Sequence, residues 1–459
     1  MATGGLFGAD EIPYINGGLY ADDDVVDLDI DEIQKLALVN IDNWSNVEPT
    51  IFGTLFERIL DPKKYDLIGA HYTSREDIIT LLKPVMVQPL RHEWDEVKAK
   101  CETLVPKIRE ESRDQSAGRV RGKKGAEPEF IKKRRVSTKG TKSVREFTKL
   151  IEAFHERLLS VKVLDPACGS GNFLYVALHL LLDLEKEVIT YASRYLPGMF
   201  PEVRPTQLAG IEINEYAQEL ASVVIWIGYL QWMYHNGFNP PSNPVLEPIE
   251  SIHRKDAILD LTSPQYPCEP EWPAADFIIG NPPFLGGNRV RQSLGDSYVE
   301  ALFRLYEGRV PAFSDLCCYW IEKGRRQIEL GNTNRAGLLA TQSIRGGVNR
   351  TVVARVKETG DLFFGISDRN WILDGAAVHV SMIGFDDGAE SQKELDGDRV
   401  TAIPANLSNK FDVTSARQLT DSHCLHIEGV KKGAKFDLDD LIALEMLRSP
   451  TLTDSQIVT

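Results

Sequence analysis

The sequence predicts an α/β protein with a mostly parallel, doubly wound sheet. Short apolar runs rich in β-branched residues recur along the chain, and long helical segments separate the first of them. The expected strands are VKVLD (161–165), LAGIEI (208–213), DFIIG (276–280), RAGLLATQS (335–343) and AAVHVSMIGF (376–385). The expected helices cover 173–196 and 215–237. Strands that alternate with helices form one parallel sheet with helices on both faces.

The region before the first strand is predicted to be helical. Residues 31–39 and 51–60 have helical spacing, and residues 75–115 look helical and highly charged. We therefore expect a helical region over 1–115, a basic and flexible insertion over 116–148, and the α/β domain over 149–390. The pattern weakens after that, so residues 391–459 are expected to open a further domain that is incomplete in this chain.

Composition places the chain among ordinary globular proteins. It has 459 residues, and no apolar run reaches the roughly 20 residues of a membrane span, so no membrane partner is expected. The six cysteines form no C-x-x-C pair and no zinc-type spacing, so we expect no metal site and a reducing, cytoplasmic setting.

Charge is unevenly distributed along the chain. The net charge of -15 argues mildly against a nucleic-acid partner, yet residues 119–149 hold twelve Lys and Arg against three Glu. Such a run could neutralise several DNA phosphates, or it could be a solvated loop that only repels itself. Composition leaves both interpretations open.

A glycine-rich turn follows the first predicted strand, in 164-LDPACGSGNFLY-175. Small residues let a backbone approach a ligand closely, and ligands of open α/β sheets bind at the carboxyl ends of strands. The turn therefore predicts a nucleotide-type cofactor site. It is not a dinucleotide fingerprint, because Leu174 stands where the third glycine would be, and it is not a phosphate loop, because no lysine follows.

An acidic side chain ends the second predicted strand. Glu212 lies 47 residues beyond Asp165, and an ionised carboxylate can accept hydrogen bonds from both hydroxyls of a ribose. The spacing exceeds the roughly 20 residues usual in dinucleotide folds, because a long helix and a proline-containing loop intervene.

Three motifs together carry a resemblance to a known family. The string DPACGSG, followed by a strand that ends in Asn281-Pro282-Pro283-Phe284, resembles S-adenosylmethionine-dependent DNA adenine-N6 methyltransferases with a Rossmann-like core. The upstream element 69-GAHYTSREDIITLLKP-84 is similar to the one that precedes the glycine turn in the gamma group. The segments 16-NGGL-19 and 314-SDLCCYWIEKGRR-326 look closest to the methylase portion of single-chain, type IIL-like restriction-modification enzymes and to related phage-defence methylases.

The resemblance implies a site for direct methyl transfer to a flipped adenine. The side-chain carbonyl of Asn281 and the backbone carbonyl of Pro282 would accept from the adenine amine, Pro283 would add rigidity, and Phe284 would stack on the base. Trp371 would be a second stacking aromatic, although a tryptophan beside a strand is more often a core residue. The implied S-adenosylmethionine site comprises Tyr72, Thr73, Ser74, Asp165, Ala167, Gly169, Gly171, Glu212 and Asp256.

Several alternatives remain open at this stage. Similar tetrapeptides occur in methylases that act on glutamine side chains or on RNA, and a non-catalytic or truncated DNA-binding subunit is also compatible with the sequence. Cytosine-C5 chemistry is not expected, since Pro267-Cys268 follows no strand.

Relatives with a fused nuclease need an acidic cluster for Mg²⁺. Glu96-Val97-Lys98 lies in a predicted charged helix and not in a strand, so this chain is not expected to cleave DNA. Residues 408–448 resemble the opening of a target-recognition domain. The expected partners are therefore double-stranded DNA and a separate recognition or nuclease subunit.

Overall fold

The computed structural model describes residues 5–7, 10–12, 27–39, 73–120, 141–238, 249, 251–263, 266–373 and 376–408. The chain divides into two compact units, Met1–Asn409 and Lys410–Thr459. All of the second unit lies outside the described residues, and so do Tyr72, the predicted helix at 51–60 and the core of the basic run at 121–140.

The main feature is a nine-stranded sheet, and it confirms the predicted α/β class. A separate pair, β1 (Gly5–Phe7) and β2 (Asp10–Ile12), precedes it. The sheet contains β3 (Val163–Asp165), β4 (Leu208–Glu212), β5 (Ile252–Arg254), β6 (Phe277–Gly280), β7 (Arg335–Thr341), β8 (Asp361–Leu373), β9 (Ala376–Asp386), β10 (Lys393–Leu395) and β11 (Asp398–Val400). Their order is β11-β10-β8-β9-β7-β6-β3-β4-β5.

The five strands β5, β4, β3, β6 and β7 are parallel neighbours, and β9 is inserted antiparallel between β7 and β8. All five predicted strands are present. The chain runs from β3 outward to β5, and then crosses to β6 on the other side of β3. This reversal leaves a crevice between the carboxyl ends of β3 and β6, the place where open α/β sheets bind ligands.

The helices flank this sheet. They are α1 (Ile30–Val39), α2 (Arg75–Leu82), α3 (Gln88–Val120), α4 (Lys142–Ser160), α5 (Asn172–Ala192), α6 (Glu215–His235), α7 (Gly287–Leu294), α8 (Asp296–Leu305), α9 (Cys317–Glu329) and α10 (Asn349–Thr359). A π-helical turn, Lys83–Val87, joins α2 to α3. Among the described residues, no helix combines the length and the apolar character needed to cross a bilayer.

Two of the expected segment limits differ from the observed elements. Helix α3 continues to Val120, and α4 already begins at Lys142, so both helices extend into the segment expected to be an insertion. Helices α3 and α4 pack together, and Ser143 Oγ donates to Glu111 Oε1 at 2.9 Å. At the other end, β10 and β11 join the main sheet, so the first unit extends beyond residue 390 to Asn409.

Alternating strand residues supply two separate cores. Val163 packs with the helices α2 to α6 on one face, whereas Leu164 packs with α8, α9 and α10 on the other. In β6, Phe277 and Ile279 belong to the first core and Ile278 to the second. This period of two, with both faces apolar, is what a sheet covered by helices on both sides requires.

A buried ion pair lies within the first core. His155 Nε2 of α4 is 2.6 Å from Glu185 Oε1 of α5, and the side chain of Glu185 is fully buried. The same oxygen accepts from the backbone N–H of Glu202 at 2.7 Å. The hydrogen bond to Glu185 raises the pKa of His155 above its ordinary value of 6.5, although burial opposes this.

This pair predicts a pH-dependent stability. The folded-state pKa of His155 lies above its unfolded value, so its contribution is complete below pH 6.5 and is lost as pH rises through the folded-state pKa. The contribution of this pair to the melting temperature of the wild-type chain should therefore be present below pH 6.5 and should decrease as the pH is raised above that value.

Glu185→Gln is the matched variant, because its amide oxygen can still accept from the backbone N–H of Glu202. It should lose this pH dependence. Glu185→Ala should instead cost about 3–5 kcal/mol at low pH, since it leaves a buried imidazolium unpaired. An identical pH profile for wild type and Glu185→Gln would show that the pair does not link stability to pH.

Candidate active site

The glycine turn after β3 is held by hydrogen bonds of its own backbone. The N–H of Ala167 donates to Asp165 Oδ1, that of Cys168 to the carbonyl of Ile211, and that of Gly171 to the carbonyl of Cys168. The N–H of Gly169 donates to Glu212 Oε2 at 2.9 Å. Four of the N–H groups that a phosphate loop would present to its ligand are thus already occupied.

Gly171 begins α5 in a conformation that few other residues adopt. Its φ is 85°, and a Cβ added there would lie 3.1 Å from the backbone of Ala221 in α6. The predicted need for glycine at this point therefore follows from both the backbone angle and the close packing of α5 against α6.

Asp165 ends β3 and is almost completely buried, with a relative exposure of 1%. Its Oδ2 atom has no hydrogen-bond partner among the described residues. Burial raises the pKa of Asp165 to about 8, and the negative charge of Glu212 adds to the effect, while the N–H of Ala167 opposes it. The carboxyl group is therefore mostly protonated at neutral pH, and a cation placed beside it would favour its ionisation.

Glu212 ends the neighbouring strand β4. Its Oε1 accepts from the N–H groups of Ile213 and Asn214, and its Oε2 accepts from Gly169. Burial raises the pKa of Glu212, and these three hydrogen bonds oppose that increase. Glu212 thus ties the glycine turn to β4, and Oε2 is the oxygen with acceptor capacity left for a ligand hydroxyl.

Asn281 follows β6 on the other side of the crevice. Its Nδ2 donates to Thr73 Oγ1 at 3.2 Å, which orients the amide. Its Oδ1 is buried and accepts no hydrogen bond from any described residue. Pro282 is buried, and Phe284, which is partly buried, packs against both cores. A buried acceptor without a donor has a substantial desolvation cost, so it marks a place where a ligand N–H fits.

The upstream element reaches this site through Thr73, which is 3% exposed. Ser74 caps α2, since its Oγ accepts from the N–H of Asp77. Asp77 in turn pairs with Arg369 of β8 at 2.6 Å. This element therefore contacts the site through the hydrogen bond between Thr73 and the Asn281 amide, and the roles of Thr73 and Ser74 at the methionine end of a cofactor stay predictions. Tyr72 lies outside the described residues.

Asp256 follows β5, at the far side of Glu212. Its Oδ1 accepts from the N–H groups of Ile258 and Leu259, and its Oδ2 accepts from Tyr298 OH at 2.7 Å. The sequence pointed to Asp256 but gave no sign of Tyr298, which comes from α8. Asp256 therefore orders its own loop, and each oxygen already has a donor.

Trp371 lies in β8, where its backbone is paired with Val378 of β9. Its side chain lies outside what the structure describes, so its predicted stacking role stays a prediction. The structure brings Asp165, Glu212 and Asn281 to the carboxyl ends of three strands of one parallel sheet. Asp256, by contrast, sits at the edge of this group.

A cluster that the sequence did not reveal supports the segment after Phe284. Asp315 Oδ1 accepts from the N–H of Gly287 at 3.0 Å, and its Oδ2 accepts from Thr341 Oγ1 at 2.9 Å. Ser343 also donates to Asp315. Such contacts between the end of β7 and the loop after β6 have no signature in residue spacing.

A sequence profile of the MmeI DNA-methyltransferase domain matches residues 139–396, which is more than half of the chain. The chain belongs to this family. The MmeI methyltransferase family assignment confirms the resemblance to restriction-modification methylases that the motifs indicated.

Two relatives illustrate this family assignment. DNA methyltransferase A of Bacillus subtilis (strain 168) is 22% identical over 413 residues, which are 87% of this chain and 41% of that protein. The structure of the type IIL restriction-modification enzyme MmeI in complex with DNA has a TM-score of 0.63 and 24% identity. It covers 88% of this chain and 50% of the MmeI chain. The chain thus spans half or less of the length of these two proteins.

The close approach of β3 and β6 yields a stability prediction. A Cβ on Gly280 would lie 2.5 Å from Asp165 Oδ1. Gly280→Ala should therefore lower the free energy of unfolding by about 1–3 kcal/mol, because neither strand end can move freely. Urea unfolding measures this.

Gly346→Ala is the matched control, since a Cβ there meets no atom within 4 Å. It should leave the unfolding midpoint unchanged. Equal midpoints for the two variants would contradict the tight packing of the strand ends.

Proposed function

We propose that this chain is a DNA methyltransferase that transfers a methyl group to the N6 amine of an adenine extruded from the duplex. The reaction would serve a restriction-modification or phage-defence system. The observation that carries the proposal is Asn281 Oδ1, a buried acceptor to which no described residue donates, in a rigid Asn-Pro-Pro-Phe segment at the switch point of the sheet. The family assignment gives independent support.

The chemistry of an exocyclic amine explains this arrangement. Its lone pair is delocalised into the purine ring, so it is a poor nucleophile. Acceptors aimed at its N–H bonds favour a more tetrahedral nitrogen and localise the lone pair. Asn281 Oδ1 supplies one acceptor, and the backbone carbonyl of Pro282 would supply the second. Thr73 fixes the amide beforehand, so little reorganisation accompanies the reaction.

Asp165 and the glycine turn are compatible with S-adenosylmethionine as the cofactor. This cofactor would supply an electrophilic methyl group and carries cationic sulfonium and ammonium groups. Asp165 Oδ2 is a buried carboxylate oxygen without a donor, which suits a cation. Four N–H groups of the turn already donate to the turn itself or to β4, which suits a ligand without a phosphate. Glu212 Oε2 would accept from a ribose hydroxyl, and Ala167, Gly169 and Gly171 would line the cavity.

DNA as the substrate is supported by the relatives rather than by a contact. MmeI was solved in complex with DNA, and the Bacillus subtilis relative is named a DNA methyltransferase. Phe284 and Trp371 would stack on the extruded base. The five cysteines that the structure describes are all free, which supports a reducing, cytoplasmic setting. We assign target recognition to residues after Asn409 or to a further subunit.

Asn281→Ala tests whether Asn281 Oδ1 accepts from the adenine amine. It should lower methyl transfer to duplex DNA by about 100-fold or more, because one preorganised acceptor is removed, and it should leave cofactor affinity within about 3-fold. The measurement is transfer of labelled methyl from S-adenosylmethionine, followed by identification of the methylated nucleoside.

Asn332→Ala is the control for this experiment, since among the described residues its side chain bonds only Gln327, and it lies in the loop that precedes β7, at the opposite edge of the sheet. It should transfer at the wild-type rate. Loss of cofactor binding by Asn281→Ala would show instead that Asn281 is structural. A product other than N6-methyladenine would overturn the assigned reaction.

The raised pKa of Asp165 leads us to expect that cofactor binding releases a proton. Its pKa of about 8 means that the empty site holds the proton at pH 7, whereas a bound cation favours the carboxylate. Affinity should therefore rise with pH up to about 8 and then level off. Calorimetry in two buffers of different ionisation enthalpy, at the same pH, measures the released proton.

Asp165→Asn is the matched variant, and it also controls for protons from the cofactor's own amine. It should bind more weakly and release correspondingly fewer protons. Equal proton release by wild type and Asp165→Asn would contradict a buried, protonated Asp165.

A further inference from the structure

Phe313 stands out among the exposed apolar side chains of the described residues. It is 60% exposed. Its backbone has a φ of 64°, the left-handed region, which bulky residues rarely occupy. A residue persists there only when its surroundings fix the backbone, and such positions are frequent at functional sites. Burial of the ring does not explain the conformation, because most of the ring is in contact with solvent.

The loop that displays Phe313 is firmly held. The N–H of Leu316 donates to the carbonyl of Leu285 at 2.9 Å, and Asn349 Oδ1 accepts from the N–H of Asp315 at 2.8 Å. Asp315 also binds Gly287 and Thr341, as described above. The backbone conformation of Phe313 is therefore determined by the segments on both sides of the loop.

These contacts place Phe313 beside the Asn-Pro-Pro-Phe segment. A Cβ added to Gly287 would lie 1.7 Å from the carbonyl oxygen of Phe313. Gly287 comes only three residues after Phe284, so the two loops are in direct backbone contact. Asp315 connects the same loop to Thr341, where β7 ends. Phe313 therefore lies at the carboxyl edge of the sheet, next to the proposed base-binding segment.

Two exposed arginines lie on α7 and α8, the two helices that precede the Phe313 loop. Arg289 follows Gly287 by two residues, and Arg304 follows Phe303, whose ring lies 5.8 Å from that of Phe313. Neither guanidinium pairs with a carboxylate in the part of the chain that the structure describes, whereas Arg291 of the same helix pairs with Asp296. An exposed aromatic ring with exposed arginines on the adjoining helices matches the residue types that proteins use to contact nucleic-acid bases and phosphates.

We propose that Phe313 is a DNA-contacting residue that stacks on a base of the duplex next to the extruded adenine. Arg289 and Arg304 bind the adjoining phosphates. The proposal rests on the proposed DNA methyltransferase function and adds a contact outside the pocket that holds the target base. Extrusion leaves neighbouring bases unstacked, and an aromatic face held rigidly beside the pocket compensates for that loss.

The test compares Phe313→Ala, Phe313→Gly and Phe313→Trp in the full chain. Each is titrated with a fluorescein-labelled duplex that carries a central mismatched adenine, because a mismatch lowers the cost of extrusion. S-adenosylhomocysteine is present, and fluorescence anisotropy reports binding. Phe200→Ala is the matched control, since Phe200 is 67% exposed and lies in the loop before β4, at the opposite edge of the sheet.

Phe313→Ala and Phe313→Gly should bind the duplex about 5-fold to 100-fold more weakly, the range of one aromatic–base stack. Phe313→Trp and Phe200→Ala should bind within about 3-fold of wild type. The melting temperature of Phe313→Gly should equal or exceed that of wild type, because glycine adopts a φ of 64° without strain. A purely structural role predicts the opposite result, with Phe313→Gly harmless to binding.

This binding experiment distinguishes failure of the Phe313 contact from failure of the proposed DNA methyltransferase function. If the wild-type chain binds the duplex and Phe313→Gly binds equally well, the contact is overturned and the proposed function stands. If the wild-type chain binds cofactor but no duplex, the contact is overturned, and so is duplex DNA as a substrate of this chain alone.

Discussion

The side-by-side arrangement of the β3 and β6 ends is the constraint on which the site depends. Gly280 has no side chain, and this lets the last residue of β6 lie against the carboxylate that ends β3. The next residue in the chain is Asn281, so the same contact sets the position of the amide relative to Asp165. Each group retains a buried oxygen without a hydrogen-bond partner among the described residues, Oδ2 of Asp165 and Oδ1 of Asn281. The folded protein bears the cost of these unsatisfied atoms, which a ligand with donors in the right places would relieve.

A second constraint comes from far away in the chain. Thr73 and Asn281 are 208 residues apart, yet their side chains are hydrogen bonded. The segment before α2 is therefore part of the site, and the ion pair of Asp77 with Arg369 fastens α2 to β8. Thr73 and helix α2 thus help to complete the pocket. Its contribution is positional, since it fixes one amide in one orientation.

Much of the fold could be predicted from the sequence because the central strands are buried on both faces and so consist of unbroken apolar runs. Strand β8 was missed because Asp368, Arg369 and Asn370 interrupt its apolar pattern, and β10 and β11 are too short to show a pattern. The glycine turn and the Asn-Pro-Pro-Phe segment were visible because glycine and proline have strong local effects. The hydrogen-bond partners of the site residues could not be predicted from the sequence. Tyr298, Thr341 and Asp315 act through contacts between distant segments, and Phe313 occupies a glycine-like conformation without being a glycine.

The pairing of α3 with α4 bears on how this chain can change in length. The segment 121–140 leaves from the end of α3 and returns at Thr141, next to the Ser143 side chain that bonds Glu111 of that same helix. Both of its attachment points belong to one helical pair. Closing a longer loop between fixed ends costs only about 0.6 kcal/mol for each doubling of its length. Charge and length can therefore vary at this point over evolutionary time while the strand ends that hold Asp165 and Asn281 keep their places.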